Sequence, residues 1–261
     1  MLRMVDSKSF GNGVVYKLET IDGLPIETTD TYLPFYTKDA VGRKQNTLES
    51  GNCGSRSERW MIGVSCMSGC PVGCKICATG KLDTCASLDW DEIVQQVLFI
   101  QEKYSQPFES AAEHKINYTR MGEPFLNIDE VRTAIWKLEN LFPGTHHYLS
   151  TIGIKDSDFS WIKGNISLQI SLHSLDEERR NNLIPIQNKM SIKELGQIRT
   201  NSNLKTTVNL TLADEKDFDI VKLKKYFDPE FFFIKLSPIN INDVSIGNGY
   251  DTGIIKGKNL L

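Results

Sequence analysis

The chain reads as an α/β protein: a parallel sheet with covering helices, preceded by an N-terminal β-hairpin extension. Three observations point there. Strand-like and helix-like segments alternate between Trp60 and Leu236, with six strands in all, and such alternation builds a parallel sheet whose crossovers are helices. A pair of short apolar runs around Asp22-Gly23 stands apart, ahead of that alternation. Three cysteines crowd into the loop after the first strand, and loops at strand C-termini are where sheets of this kind place their chemistry.

Each element follows in order. Residues 14–20 and 25–29 flank Asp22-Gly23, a hairpin signal. The polar stretch 37–57 reads as a loop. Residues 60–64 form the first strand, and 89–104 a helix with Asp89 at its start and apolar Ile93, Val94, Val97, Leu98 and Ile100. A strand over 114–119 leads to a helix over 128–141, closed by Pro143-Gly144. A strand over 147–151, a short helix over 156–163 and a strand over 166–172 follow. The helix over 191–200 opens on Ser191 with Glu194 three residues on, a capping-box pattern. A strand over 206–212, a helix over 220–227 and a sixth strand over 231–236 complete the series. In domain terms, 1–58 is the hairpin extension and polar loop, 59–245 the core, and 246–261 a tail.

With 261 residues, 40% hydrophobic and 24% charged, the composition is that of an ordinary globular protein. The net charge of -3 announces no nucleic-acid binder. No apolar run reaches the length of a membrane span, and the N-terminus has no apolar signal core. Without an export signal a disulfide framework is not expected of the six cysteines, which suits the reducing cytoplasm.

The run Cys70-Pro71-Val72-Gly73-Cys74-Lys75-Ile76-Cys77 has the spacing C-x3-C-x2-C. Iron–sulfur clusters are held by thiolates at short spacings, usually four per cubane cluster. Three in one loop leave one iron without a protein ligand, open to an exogenous one. Zinc reads instead as paired knuckles or Cys/His sets, and no second knuckle stands near.

This cysteine loop resembles that of the radical S-adenosylmethionine (SAM) superfamily, and other segments narrow the likeness. Residues 120–127, with Gly122-Glu123-Pro124, are similar to the G-M-G-E-P-L-L-N segment of the 23S rRNA adenine methyltransferases of the RlmN/Cfr type. Ser150-Thr151-Ile152-Gly153 resembles their S-T-S-G turn. Ser171-Leu172-His173, followed by Arg179 and Ile184-Pro185-Ile186, resembles their S-L-H…R…V-P-I stretch, and Leu236-Ser237-Pro238-Ile239-Asn240 their L-I-P-W-N. The resemblance runs over residues 14–242. It implies a partial (β/α)6 radical SAM barrel and a 4Fe-4S cluster on Cys70, Cys74 and Cys77. It further implies S-adenosyl-L-methionine on the open iron, cleaved by one electron to methionine and a 5′-deoxyadenosyl radical. The electron donor would be a flavodoxin or ferredoxin.

The resemblance also implies a SAM-binding set: Gly122, Glu123, Ser150, Ser171, Leu172, His173 and Asn240. Their chemistry suits it. Gly122 permits close backbone approach, and Glu123 can accept from the methionyl ammonium. The hydroxyls of Ser150 and Ser171 suit a carboxylate or ribose; His173 and Asn240 suit ribose or adenine edges. Glu123 is also placed to cap the helix starting near Ile128, and His173 to be a satisfied strand-end histidine.

The chain departs from that family in four respects. The methyltransferases use a resolving cysteine seven residues before the first cluster cysteine; here that position is Gly63. Their methyl-carrying cysteine lies beyond the sixth strand, where this sequence has none. Their N-terminal RNA-binding domain has no counterpart, and Ile76 stands where an aromatic residue is usual. Cys53, Cys66 and Cys85 are left over. The leading expectation is therefore hydrogen abstraction from an unidentified substrate after SAM cleavage. An RNA methyltransferase with a relocated cysteine or a second protein is the alternative, with Arg179, Arg180 and Lys189, and Lys155 and Lys163 nearby in sequence, as a small basic face; a non-catalytic cluster-binding module is the third.

Overall fold

The structure, a computed structural model, describes residues 2–38, 44–45 and 53–250. The stretch 37–57 and the tail 246–261 therefore lie partly outside the described residues. The chain divides into two compact units.

The first unit comprises Met1–Ser68, Ala86–Met121 and Asn127–Tyr148. It contains β1 (Arg3–Phe10), β2 (Gly13–Glu19), β3 (Pro25–Leu33), the short pair β4 (Thr37–Lys38) and β5 (Lys44–Gln45), and β6 (Arg59–Val64). After these come the two-residue strands β7 (Met67–Ser68) and β8 (Ala86–Ser87), α1 (Trp90–Gln101), β9 (Glu113–Tyr118), α2 (Ile128–Leu141) and the start of β10 (His146–Thr151). Its main strands lie in the order β1-β2-β3-β6-β9-β10. Pairing is antiparallel from β1 to β6 and parallel between β6 and β9. β2 and β3 turn back at Gly23, whose φ of +77° lies in the left-handed region that favours glycine. β1 is exposed along its whole length and its polar, unpatterned sequence gave no strand signal.

β6 is an almost unbroken buried run, as befits a strand covered on both faces. Its Trp60 is fully buried and donates its indole N–H to Asp30 at 2.7 Å. Asp30 also accepts from the Tyr104 hydroxyl at 2.7 Å and from Nε and Nη2 along one edge of the Arg56 guanidinium, which lies 3.8 Å over the Tyr104 ring. Every charge in this buried group has partners, so removing one costs about 3–5 kcal/mol. α1 starts at the expected cap: Asp89 and Glu92 form a capping box, a device that contributes about 1 kcal/mol. α2 buries Val131, Ala134, Ile135 and Leu138, the i, i+3, i+4, i+7 stripe of an amphipathic helix.

The second unit comprises Gly69–Cys85, Gly122–Leu126 and Leu149–Leu261. It holds the end of β10, then β11 (Ile166–Ser171), α3 (Glu177–Leu183), α4 (Ile192–Leu195), β12 (Thr206–Thr211), α5 (Ile220–Tyr226), β13 (Phe232–Ser237) and α6 (Asp243–Gly247). β11, β12 and β13 pair in parallel in that order.

Four helices differ from expectation here, among them α6, since no helix was expected over Asp243–Gly247. No helix forms over 156–163: Asp156 sits at φ +61° and the Asp158 side chain accepts from the Ser160 N–H, so the segment turns irregularly. A single left-handed residue interrupts the repeat that an α-helix needs. α3 was not foreseen, because its sequence EERRNNL shows almost no apolar period. α4 has the Ser191–Glu194 capping box but stops after Leu195. There Gly196 meets the backbone of Tyr226 so closely that an added Cβ would lie 2.2 Å from its carbonyl oxygen.

Candidate cofactor site

All the residues singled out for the cofactors belong to the second unit. The cysteine loop opens at Gly69, φ +79°, where any Cβ would lie 1.8 Å from the Thr84 carbonyl oxygen. Only glycine passes there. Gly73, φ +66°, makes the second left-handed turn between Cys70 and Cys74, and Cys77 N–H donates to the Cys74 carbonyl at 3.1 Å. Two elements hold the loop from outside. The Lys75 N–H donates to the Leu183 carbonyl at the end of α3, 2.9 Å. From α6 and its cap, Asn242 donates to the Ile76 carbonyl at 3.1 Å and Asn248 to the Lys75 carbonyl at 3.2 Å.

Burial pushes the Cys70 thiol up to about 12, and the charges of Glu123, Cys77 and Cys85 push the same way. Burial likewise raises Cys74, helped by Cys77, Cys70 and Glu123 and opposed by Arg180. The thiols thus share one electrostatic neighbourhood in which their own negative charges are unwelcome, and bound iron reverses that by its positive charge. Among the described residues no set of three or more His, Cys, Asp or Glu side chains is gathered to hold a single ion. A donor set of thiols alone, spread along one loop, fits a polynuclear cluster in which each thiolate serves its own iron.

Gly122, φ +98°, precedes Glu123. The Glu123 carboxylate is 4% exposed and accepts from Phe125 N–H at 3.1 Å and from Ile152 N–H at 2.9 Å. Burial raises it to about 7 against the pull of its bonds to Thr151, Ile152 and Phe125. It therefore sits between the G-E-P segment and the end of β10. On β10 and β11, the Ser150 and Ser171 hydroxyls lie 3.2 Å apart. Leu172 is fully buried and donates its N–H to the Asn209 carbonyl at 3.0 Å. His173 adopts φ +62°, an uncommon left-handed conformation for a side chain of this size. Its Nδ1 accepts from Thr211 N–H at 3.3 Å, and burial, with the Arg180 charge second, lowers it to about 4, so the ring is neutral. Asn240 is exposed, and among the described residues its backbone carbonyl accepts from Asn242.

Two hydrogen-bonded neighbours of these residues were not singled out in the sequence. Gln169 donates to Ser150 Oγ at 3.0 Å, and Asn209 accepts from Ser237 Oγ at 2.6 Å. The available signal was period two: Gln169 with Ser171, and Asn209 with Thr211, put polar groups on one strand face. Of the expected basic face, Lys155 and Lys163 are exposed, but Arg179, Arg180 and Lys189 do not contribute to it. Arg180 is fully buried, Lys189 is 7% exposed, and Arg179 pairs with Asp217 at 2.8 Å.

In the first unit, Gly63 is closely packed. A Cβ there would lie 2.3 Å from Thr29 Oγ1 and 3.0 Å from Arg120 Cδ, and Arg120 is ion-paired with Glu27. Of the remaining cysteines, Cys66 is buried, Cys53 half-buried and Cys85 exposed.

No protein-family model matches the chain. It is 35% identical over 192 residues to a probable dual-specificity RNA methyltransferase RlmN of Pseudothermotoga lettingae, covering 68% of this chain and 54% of the relative. Against a protein of the same description from Dictyoglomus thermophilum the identity is 31% over 202 residues, 72% of this chain and 55% of that one. A solved radical SAM methyltransferase from Sphaerobacter thermophilus superposes with TM-score 0.64 at 21% identity, over 92% of this chain and 67% of that one, a likeness of fold. The chain spans about half the length of the curated relatives it matches. It is a relative of the RlmN-type radical SAM methyltransferases.

Proposed function

We propose that the chain is a radical SAM enzyme of the RlmN type, on a partial (β/α)6 barrel, that methylates RNA. The names of its relatives support this reading over hydrogen abstraction alone. The observation that carries it is the grouping of Cys70, Cys74 and Cys77 with Glu123, Ser150, Ser171 and His173 in one compact unit, with Glu123 felt at two of the thiols.

Cys70, Cys74 and Cys77 would hold a four-iron cluster, which would supply the electron and a coordination site for SAM. The residues around it bind and orient. Glu123, fixed by two backbone N–H groups, offers its remaining acceptor capacity to an ammonium. Ser150 and Ser171 hold a carboxylate or ribose hydroxyl. Neutral His173, its Nδ1 occupied by Thr211, is left with an Nε2 donor for a ribose or base edge. Asn240 reads the adenine from the end of β13. A flavodoxin or ferredoxin gives the electron, in the cytoplasm, where such a cluster survives.

One specific observation favours the second reading, SAM cleavage for hydrogen abstraction without methyl transfer. The position of the resolving cysteine in the resemblance is occupied by Gly63, with Thr29 and Arg120 closed over it. Isotope tracing separates the two readings. Methyl-labelled SAM and RNA from a host lacking the chain should give labelled RNA if the first holds. Unlabelled RNA beside 5′-deoxyadenosine would support the second.

A further inference from the structure

Arg180 is fully buried in the second unit, on α3. Its Nη1 donates to the Met190 carbonyl and its Nη2 to the Ile152 carbonyl, each at 2.7 Å, while its Nε has no partner. Lys189 is also buried and gives its Nζ to the Ile186 carbonyl at 2.8 Å. Among the described residues neither cation forms an ion pair. The carboxylate both feel, Glu177, accepts from the Ile192 N–H instead. A guanidinium kept from water without a counter-ion is costly, so the site is built for an anion.

Its position says which anion. The cysteine loop rests on the segment that carries Arg180. Lys75 N–H bonds the Leu183 carbonyl, and a Cβ on Gly73 would touch Pro185 at 3.6 Å. Cys74 lies between those two contacts. We infer that Arg180, with Lys189 beside it, is the buried counter-charge of the thiolate-held cluster, a positioning residue that raises the cluster's reduction potential. This rests on the cysteine assignment above. Reduction adds a negative charge, and a fixed nearby cation in a low-dielectric site favours the reduced form.

The test uses the full chain, anaerobically reconstituted, with iron and sulfide assayed before a redox titration followed by electron paramagnetic resonance. Arg180→Gln should keep its cluster and show at least a tenfold lower reduced-to-oxidised ratio at a fixed potential, about 59 mV for a one-electron couple. Arg180→Lys should stay near the parent, and Lys189→Gln should move in the same direction by less. Unmoved potentials in cluster-loaded Arg180→Gln and Lys189→Gln overturn the inference. So does weaker SAM binding at an unchanged potential, which would make the anion the SAM carboxylate. Should Arg180→Gln not fold, an unmoved Lys189→Gln decides against the inference. A parent chain that takes up no iron overturns the cysteine assignment itself, and the iron assay tells the two failures apart.

Discussion

Glu123 gives the chain a pH dependence of known sign. Its carboxyl is raised from 4.5 to about 7 by burial. Between those values the folded chain holds a proton that the unfolded chain has released. Stability contributed by this group is therefore complete below about pH 4.5, falls as pH rises, and levels off above about pH 7. At about 1.4 kcal/mol for each pH unit, the loss comes to about 3 kcal/mol. Glu123→Gln carries no charge at any pH and should lack the slope. It should also cost about 1–3 kcal/mol throughout, because its amide nitrogen must face a donor, either Phe125 N–H or Ile152 N–H. Urea unfolding of cluster-free parent and variant across this range reads the difference directly. Most other carboxylates cancel in the comparison. The variant should be the weaker protein at low pH and draw level with or overtake the parent above pH 7. A parent-minus-variant difference that is constant across pH would refute the reasoning. A carboxylate that is costly to ionise in an empty site is also one that a cationic ligand stabilises, so affinity for an ammonium ligand should rise up to about pH 7.

Other expectations are simpler. Cys74→Ala should abolish cluster assembly and SAM cleavage, read as iron content and 5′-deoxyadenosine. Cys66→Ala should keep the cluster, since the buried Cys66 thiol already donates to the Met121 carbonyl at 3.5 Å; iron loss in that variant would redraw the ligand set. Gly63→Cys should destabilise by about 1–3 kcal/mol through overpacking against Thr29 and Arg120, and Thr29→Ala in the same chain should relieve part of it, a non-additivity visible in thermal melts. Asn242→Ala and Asn248→Ala each remove one bond from α6 to the cysteine loop, worth about 1 kcal/mol. Faster hydrogen exchange at residues 75–77 and faster iron loss to a chelator should follow, larger in the double variant.

Local signals carried much of the fold. α2 runs over Ile128–Leu141 because its apolar stripe and the Pro143-Gly144 stop are both written in adjacent residues. The Asp89–Glu92 and Ser191–Glu194 capping boxes are local too. Where tertiary contact decides, the sequence was silent. α4 ends at Leu195, beside Gly196, which packs against the backbone of Tyr226 thirty residues on. α3 forms on a polar sequence because Asp176 caps it and its Arg180 and Leu183 are buried. The same holds at the site. Glu123, Ser150, Ser171 and His173 were singled out by the resemblance of their segments, and all four belong to the second unit. Asn209 and Gln169 are ordinary strand residues until their neighbours are known. Arg180 looked like surface charge because burial of a guanidinium leaves no mark in the sequence around it.

The most direct test of the central claim is mass spectrometry of the products formed from SAM, and of the RNA, when the anaerobically reconstituted chain is given RNA from a host lacking it and a chemical reductant. S-Adenosylhomocysteine together with 5′-deoxyadenosine is the expected result, and would mean that a methyl group has moved. 5′-Deoxyadenosine alone would keep the cluster and SAM site but contradict methyl transfer. Neither product, from a chain loaded with iron and sulfide, would contradict the account at its root.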